Sequence, residues 1–227
     1  MKLVLARSCK TAWSEENKFM GWTDVPLSAN GIEEAHKLGK RVAKLNIDFS
    51  IAFTSVLSRN KETLKYIEEE TGKTYKKRES YLLNPKHYGV LEGMNKEEAK
   101  NIYGEDVVAK WRRGFTEKAP EISISDERFP GNDSKYDEVL KFKLPLSESQ
   151  KDVYDRVVEY FESEISTFLR VGEDVLIVAS GSVLRVLTKY LEDIPDEKMS
   201  ELEMPSGTLV VYDFDDELKA KDKSVIE

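Results

Sequence analysis

The chain has 227 residues, of which 40% are hydrophobic and 34% charged, and its formal net charge at pH 7 is −8. This apolar fraction is too high for a disordered chain, and the acidic balance argues against a general nucleic-acid-binding surface. The single cysteine cannot form an internal disulfide, and no apolar run approaches the ~20 residues that a membrane-spanning helix needs. We therefore expect a soluble, cytoplasmic, globular protein with neither nucleic acid nor membrane as a partner.

Strands and helices alternate in the first half of the chain. The short apolar run Lys2–Arg7 is typical of a buried strand, and apolar residues spaced by three and four predict an amphipathic helix over 31–46. A second strand is predicted over 49–54, and a second helix over 57–70 that Gly72 would end. Residues 73–78 fit either a polar edge strand or a solvated turn.

The second half continues the alternation after an irregular stretch. Two helices are predicted over 96–103 and 105–113. Residues 114–148 contain three prolines and little periodicity, which is typical of a functional cover or a mobile insertion, and we expect an irregular cover segment over the cleft. The later elements are predicted as follows: a helix over 150–170, a strand over 174–180, a helix over 183–191 and a strand over 208–214.

This alternation predicts an α/β fold, a three-layer sandwich with a mostly parallel central sheet, in one domain that spans 1–227. In such sheets, ligands bind beyond the carboxyl ends of the strands. Two strand ends carry small hydroxyl residues, Ser8 in the loop 8–11 and Ser180 in the loop 180–182. Both an anion-binding nest and ordinary polar strand-end loops have this composition.

Several segments carry a family resemblance. Residues 17–28 (NKFMGWTDVPLS) resemble N-F-x-G-W-x-D-x-x-L-S, and residues 54–59 (TSVLSR) resemble T-S-x-L-x-R. At the expected spacings follow HYG at 87–89, GMNK at 93–96, WRR at 111–113, LPLSES at 144–149 and PSG at 205–207. Together they resemble the 2,3-bisphosphoglycerate-dependent phosphoglycerate mutases of the histidine phosphatase superfamily. The resemblance covers nearly the whole chain and implies a phosphoglycerate mutase-like fold.

The resemblance fails at the chemical groups. Family members end their first strand in R-H-G-E-[ST], whose histidine carries the phosphoryl group, and here that position is Ser8. The second histidine, in A-H-G-N, is Ser180, and the proton-shuttling glutamate is Pro85. The family interconverts 2- and 3-phosphoglycerate in glycolysis with 2,3-bisphosphoglycerate as cofactor. With none of the three groups intact, we expect an inactive member, a pseudoenzyme, that needs no cofactor and no metal.

The anion-holding positions of the family are mostly retained. Guanidinium and ammonium groups suit phosphate oxygens. The resemblance therefore implies a site for phosphate or a small phosphorylated acid. Its residues would be Arg7, Thr11, Gly21, Arg59, Tyr88, Lys96, Arg112, Arg113 and Gly181.

Three hypotheses remain open. The protein is a non-catalytic binder or regulator, as a homodimer or a heterodimer with an active relative; or it is a weak or altered phosphatase or mutase that uses Ser8 or Cys9; or it is a purely structural partner of an active subunit. A thiolate beside two cations would have a lowered pKa, which makes Cys9 the main rival. Of the two histidines, His36 is expected on a solvated helix surface and His87 in a structural hydrogen bond.

Overall fold

The computed structural model describes residues 1–226, and its centre is a six-stranded sheet with the order β3-β2-β4-β1-β5-β6. The strands are β1 (Lys2–Arg7), β2 (Ile51–Thr54), β3 (Lys77–Glu79), β4 (Val175–Ala179), β5 (Leu209–Phe214) and β6 (Ala220–Ile226). Strands β3, β2, β4 and β1 run parallel, whereas β5 is antiparallel to β1 and β6 is antiparallel to β5. The predicted mostly parallel sheet is confirmed.

The helices lie between these strands. They are α1 (Ala12–Glu15), α2 (Ala29–Lys44), α3 (Ser58–Thr71), α4 (Lys96–Tyr103), α5 (Glu105–Arg113), α6 (Gln150–Tyr160), α7 (Ser166–Arg170) and α8 (Gly181–Leu191). A π-helical turn, Phe161–Ile165, joins α6 to α7, so the helix predicted over 150–170 is one continuous rod with a local change of pitch. None of the helices in the described part of the chain combines the length and the apolar character needed to cross a bilayer.

Two hydrophobic cores, one on each face of the sheet, make the three layers. Successive side chains of a strand point to opposite faces. In β1, Leu3 and Leu5 therefore pack under α6 and α8, while Val4 and Ala6 pack under α2 and α3. All four side chains are fully buried, and each such burial stabilises the fold by roughly 1–3 kcal/mol. Covered on both faces, β1 and β4 read in the sequence as unbroken apolar runs.

Local signals fix the start of α2 and the end of α3. The Ser28 hydroxyl accepts a hydrogen bond from Gly31 N at 3.0 Å and caps α2. Gly72, with φ of 66°, ends α3 in the left-handed conformation that glycine adopts without strain.

The segment 114–148 is not a cover over the cleft. Its buried apolar side chains, among them Ile122, Phe129 and Tyr136, form a small core around Trp22, whose ring stacks on Tyr136 at a centroid distance of 5.2 Å. The segment has no regular spacing because it is irregular apart from three short 3-10 turns, at Pro130–Asn132, Ser134–Tyr136 and Lys141–Lys143. It packs behind the loop that carries Trp22 and holds that loop in place.

The structure decides one open alternative and adds two elements that the sequence did not predict. Residues 77–79 form an edge strand, which decides between the two readings of 73–78. Strand β6 was not predicted, because it is exposed along its length and alternates lysine with aspartate in place of an apolar run. Helix α1 was not predicted either, since a single turn has no detectable period.

Candidate functional site

The site lies where β1 and β4 end side by side. These strands are parallel neighbours, and their register pairs Arg7 with Ala179. The next residues, Ser8 and Ser180, therefore emerge at the same sheet edge, where Ser8 N donates to Ala179 O at 2.9 Å. Ser180 is the N-cap of α8, and its hydroxyl donates to Asn60 Oδ1 at 3.3 Å instead of capping the helix. The N-terminus of α8 thus opens towards the cleft, which favours an anion there.

A cavity of about 390 Å³ at this edge, which we name the first chamber, has seven cations in its lining. The cations are Arg7, Lys18, Arg59, Lys96, Arg112, Arg113 and Arg185. Against these seven stands one carboxylate, Glu203, which pairs with Arg113 at 3.0 Å. On a protein of net charge −8, this concentration of positive charge favours the binding of an anion in the chamber.

Most of the predicted binding residues meet in this chamber. Its lining includes these members of the predicted set: Arg7, Gly21, Arg59, Tyr88, Lys96, Arg112, Arg113 and Gly181. Thr11 is absent from the lining because it is fully buried as the cap of α1, where its hydroxyl accepts from Ser14 N at 3.2 Å and donates to Met20 Sδ at 3.1 Å. None of the residues 114–148 lines the chamber.

Arg59 forms the floor of the cleft. Its guanidinium donates to Gly21 O at 2.6 Å and to Thr23 O at 2.9 Å, while its buried Nε has no partner within residues 1–226. Burial lowers the pKa of Arg59 to about 10, so the group stays charged at neutral pH. A buried cation of this kind holds the loop of Gly21 and keeps part of its charge directed at the cleft.

Lys96 stands among other cations. Its ammonium donates to Asn17 Oδ1 at 3.1 Å. Burial, and then repulsion from Arg112, Arg7 and Arg113, lower the pKa of Lys96 to about 8. Since these positive charges repel one another in the free protein, a bound anion relieves the repulsion.

Arg185 is a chamber residue that the sequence analysis missed. It is nearly buried, and its guanidinium donates to Gln150 Oε1 at 3.2 Å. Burial lowers the pKa of Arg185, and Arg113, Arg112 and Arg7 act in the same direction. A signal was present, because Arg185 is the one cation in the apolar run 183–187, VLRVL, on a helix that follows a ligand-binding strand end.

Hydrogen bonds to its backbone carbonyls hold the loop at Pro85 in place. Pro85 O accepts from Trp22 Nε1 at 2.7 Å and from Arg156 Nη2 at 3.0 Å, and Arg156 Nη1 also donates to Asn84 O at 2.8 Å. Lys86 N donates to Ser182 Oγ at 3.0 Å and ties the loop to α8. Pro85 therefore presents a fixed, non-ionisable ring to the first chamber.

A second chamber, of about 630 Å³, continues from the first. The two share a wall that includes Arg7, Arg59, Lys96, Ser180 and Gly181. Beyond the wall, the second chamber alone is lined by Ser8, Cys9, Lys10, Glu15, Asn30 and Ser206.

Comparison with known proteins identifies the family. The model of the histidine phosphatase superfamily (branch 1) matches residues 3–224. The chain belongs to this superfamily. Three solved structures illustrate the shared fold, and in each case the identity is below 25%, so that the likeness concerns the fold alone.

YhfR from Bacillus stearothermophilus has 24% identity and a TM-score of 0.73, over 94% of this chain and 91% of its own. A putative alpha-ribazole-5'-P phosphatase from Escherichia coli K-12 has 19% identity and a TM-score of 0.72, over 100% of this chain and 94% of its own. The mycobacterial glucosyl-3-phosphoglycerate phosphatase complexed with VO3 has 20% identity and a TM-score of 0.69, over 93% and 92%.

In this histidine phosphatase superfamily member, neither histidine lines a chamber. His87 is fully buried, and its Nδ1 accepts a hydrogen bond from Gly89 N at 3.0 Å, which is the structural role expected. His36 was expected on a solvated helix surface, but it is half-buried. It pairs with Glu70 at 2.7 Å and packs against Tyr66. An imidazole nucleophile is therefore absent from the cleft.

Cys9 does not have the lowered pKa that the alternative thiolate mechanism requires. Burial, and then the nearby Glu34 carboxylate, raise the pKa of the thiol to about 12. The side chain packs in the core beneath α2 and α3, and its backbone N–H donates to Thr63 Oγ1 at 3.2 Å. A buried, protonated thiol is a poor nucleophile.

The serine alternative finds no support in the geometry. Within residues 1–226, the hydrogen bond recorded for Ser8 is the one from its backbone N to Ala179 O, and no histidine lines the chamber that Ser8 faces, so no base is in place to take the hydroxyl proton. In the same part of the chain, no group of three or more His, Cys, Asp or Glu side chains is placed to hold a metal ion.

Proposed function

We propose that this protein is a phosphoglycerate mutase-like pseudoenzyme that binds phosphate or a small phosphorylated acid in the first chamber and has lost the phosphohistidine reaction. One observation carries the proposal: seven cations converge on a cleft that no histidine lines. The cations supply the electrostatics that a phosphate ester needs. The missing imidazole removes the group on which the superfamily's chemistry depends.

The loss extends to all three chemical positions. We assign Ser8 and Ser180 to the places of the two family histidines, because each directly follows one of the adjacent strands β1 and β4. We assign Pro85 to the place of the family glutamate, on the wall of the first chamber. A hydroxyl without a base is a poor phosphoryl acceptor, and loss of the acid–base group alone costs a factor of about 10²–10⁴.

The ligand class follows from what the relatives share. The sequence segments resemble phosphoglycerate mutases, while two of the structural neighbours are named as phosphatases, of glucosyl-3-phosphoglycerate and of alpha-ribazole-5'-P. A phosphate ester is common to all of these names. We therefore propose 3-phosphoglycerate and 2,3-bisphosphoglycerate as the first ligands to test. We also propose a regulatory role in the cytoplasm, in which the protein acts as a homodimer or as a heterodimer with an active relative.

The expected affinity is moderate. Each charge-assisted contact contributes roughly 1.5–3 kcal/mol, and association costs about 4–15 kcal/mol in lost freedom. Several contacts in an open cleft then give a Kd between about 1 μM and 1 mM.

The experiment is a titration of the pure protein with 3-phosphoglycerate. Binding is measured by calorimetry and by the shift in melting temperature. Binding should be measurable, should weaken as salt is added, and should weaken in Arg7→Ala. The matched control is Lys65→Ala, which removes an exposed cation on α3 that lines neither chamber. A melting temperature unaffected by tens of millimolar ligand would instead support the view that the cleft is a relic.

A further inference from the structure

One carboxylate of the chain itself stands against an anion-binding cation of the first chamber. Within residues 1–226, Glu203 is the one carboxylate in the lining of this chamber. Its Oε1 lies 3.0 Å from Arg113 Nη1, and its Oε2 accepts a hydrogen bond from Arg113 Nη2 at 3.4 Å. Both carboxylate oxygens therefore face one guanidinium, which is also the arrangement in which arginine binds a phosphate. In the free protein, Glu203 takes up a group that a bound anion would use.

Glu203 begins a short strap, residues 203–207, that runs along the rim of the first chamber. The strap contains neither helix nor strand, and its first three residues line the chamber. Met204 O accepts a hydrogen bond from Arg7 Nη1. The strap is thus bound to two of the chamber's cations, to Arg7 through a carbonyl group and to Arg113 through a carboxylate.

The other end of the strap is anchored away from these cations. Ser206 Oγ donates to Glu34 Oε2 at 2.7 Å, and Gly207 O accepts from Arg41 Nη2 at 2.7 Å. Both partners lie on α2, outside the lining of the first chamber. The strap is therefore fixed at residues 206 and 207, whereas residues 203 and 204 are held by the cations that a ligand would contact.

The contact between Glu203 and Arg113 is weak enough to be displaced. The Glu203 side chain is 67% exposed and that of Arg113 is 28% exposed. An ion pair in such a setting contributes little to stability, because water and salt screen it. A phosphate that approached the same guanidinium would be repelled by the carboxylate. The bound anion and the paired form of Glu203 therefore oppose each other.

We propose that Glu203 is an intramolecular competitor of the ligand, which occupies Arg113 in the free protein and releases it when an anion binds. The inference rests on the proposed function, because it concerns the regulation of the same cleft. Coupling between two such events is reciprocal. Anion binding therefore frees Glu203, and anything that holds Glu203 away from Arg113 strengthens anion binding by the same factor.

The test is calorimetric titration with inorganic phosphate at low ionic strength. Glu203→Gln keeps the size of the side chain and removes its charge. This variant should bind phosphate about two- to fivefold more tightly than the unmodified protein, as expected when an exposed ion pair no longer competes. The gain should shrink as salt is added. The matched control is Glu201→Gln, which removes an exposed carboxylate that lines neither chamber and should leave the Kd of phosphate unchanged.

A second background separates competition for Arg113 from general repulsion. In Arg113→Gln, no guanidinium is left for Glu203 to occupy. Adding Glu203→Gln to this variant should therefore change the phosphate affinity much less than it does in the unmodified protein. An equal gain in both backgrounds would assign the effect to repulsion between Glu203 and phosphate and would overturn the proposal.

The reactivity of Arg113 gives a readout that needs no phosphate. Phenylglyoxal, which modifies guanidinium groups, should react with Arg113 faster in Glu203→Gln than in the unmodified protein, as peptide mass spectrometry can show. Equal phosphate affinity of these two proteins would overturn the competition and leave the proposed function standing. If no variant bound phosphate, the proposed function would fall. An equal reaction rate of Arg113 in the two proteins would then show that Glu203 does not occupy it and would overturn this inference as well.

Discussion

We predict that Lys96 makes anion binding in the first chamber depend on pH. Its pKa is lowered to about 8 by burial and by the surrounding guanidinium groups. Above pH 8, the free protein therefore loses this positive charge, whereas a bound phosphate dianion favours the protonated form. Binding is then coupled to proton uptake, so that affinity is highest below about pH 8 and falls as the pH rises.

The size of the effect follows from the two pKa values. If the bound anion returns Lys96 to its ordinary value of 10.5, linkage gives a roughly 30-fold loss of affinity between about pH 7 and about pH 9.5. This figure is an upper limit, because solvent on the open side of the cleft screens the charges. The second ionisation of a phosphate ester, near pH 6, is complete over this range and contributes little.

The assay is calorimetric titration of 3-phosphoglycerate across this pH range at constant low ionic strength. The control is Lys96→Arg, which keeps its charge at every pH tested, so its profile should be nearly flat. The contribution of Lys86 to the pH dependence has to be separated from that of Lys96. Burial, and then Arg185, lower the pKa of Lys86 to about 8 as well. Lys86 lies outside the lining of both chambers, and any slope left in Lys96→Arg measures its contribution.

Two results would refute this reasoning. A flat profile for the unmodified protein would mean that Lys96 does not face the bound anion. A profile that falls equally in Lys96→Arg would assign the titration to another group.

Further predictions concern single side chains. Arg59→Ala should weaken 3-phosphoglycerate binding about 10- to 100-fold in calorimetry, since it removes a buried charge. Arg113→Ala should weaken this binding less, because Glu203 already neutralises part of the Arg113 charge. The reverse order of the two effects would contradict the placement of Arg59. Iodoacetamide at pH 8 should alkylate Cys9 more than about 100-fold more slowly than free cysteine, as mass spectrometry can show, and fast alkylation would revive the thiol mechanism. Ser8→His with Ser180→His should form no acid-labile phosphoprotein with labelled 2,3-bisphosphoglycerate, because the cleft still lacks an acid–base group; efficient labelling would show that the two imidazoles alone suffice.

The sequence predicted the fold well where a regular period meets a buried face. Helices α4 and α5 have the predicted bounds, and β1 has the predicted run, because each carries a clear apolar pattern and an end signal. Strand β6 lacks such a pattern, since it forms an exposed edge. The segment 114–148 was predicted as a cover, and its actual packing around Trp22 depends on contacts distant in sequence that no local pattern contains.

The structure brings together the predicted residues that the family motifs mark, and the sequence was less informative about the other residues of the cleft. Arg59 and Lys96 were identified by their segments, and the structure brings them into one chamber. Arg185 was missed because none of the family segments includes it. The thiolate alternative for Cys9 rested on its cationic neighbours in sequence, whereas burial and Glu34 set its pKa. Whether a charge faces a cleft or a core depends on tertiary packing, which spacing alone does not specify.

The central claim is that the cleft binds phosphate esters and does not turn them over. One preparation should therefore be titrated with 3-phosphoglycerate by calorimetry and then assayed, at saturating ligand, both for phosphate release and, with 2,3-bisphosphoglycerate present, for mutase turnover. The account predicts a Kd between about 1 μM and 1 mM with both rates equal to the protein-free blank. Turnover within about a hundredfold of a typical enzyme, for which kcat is ~10 s⁻¹, would contradict it.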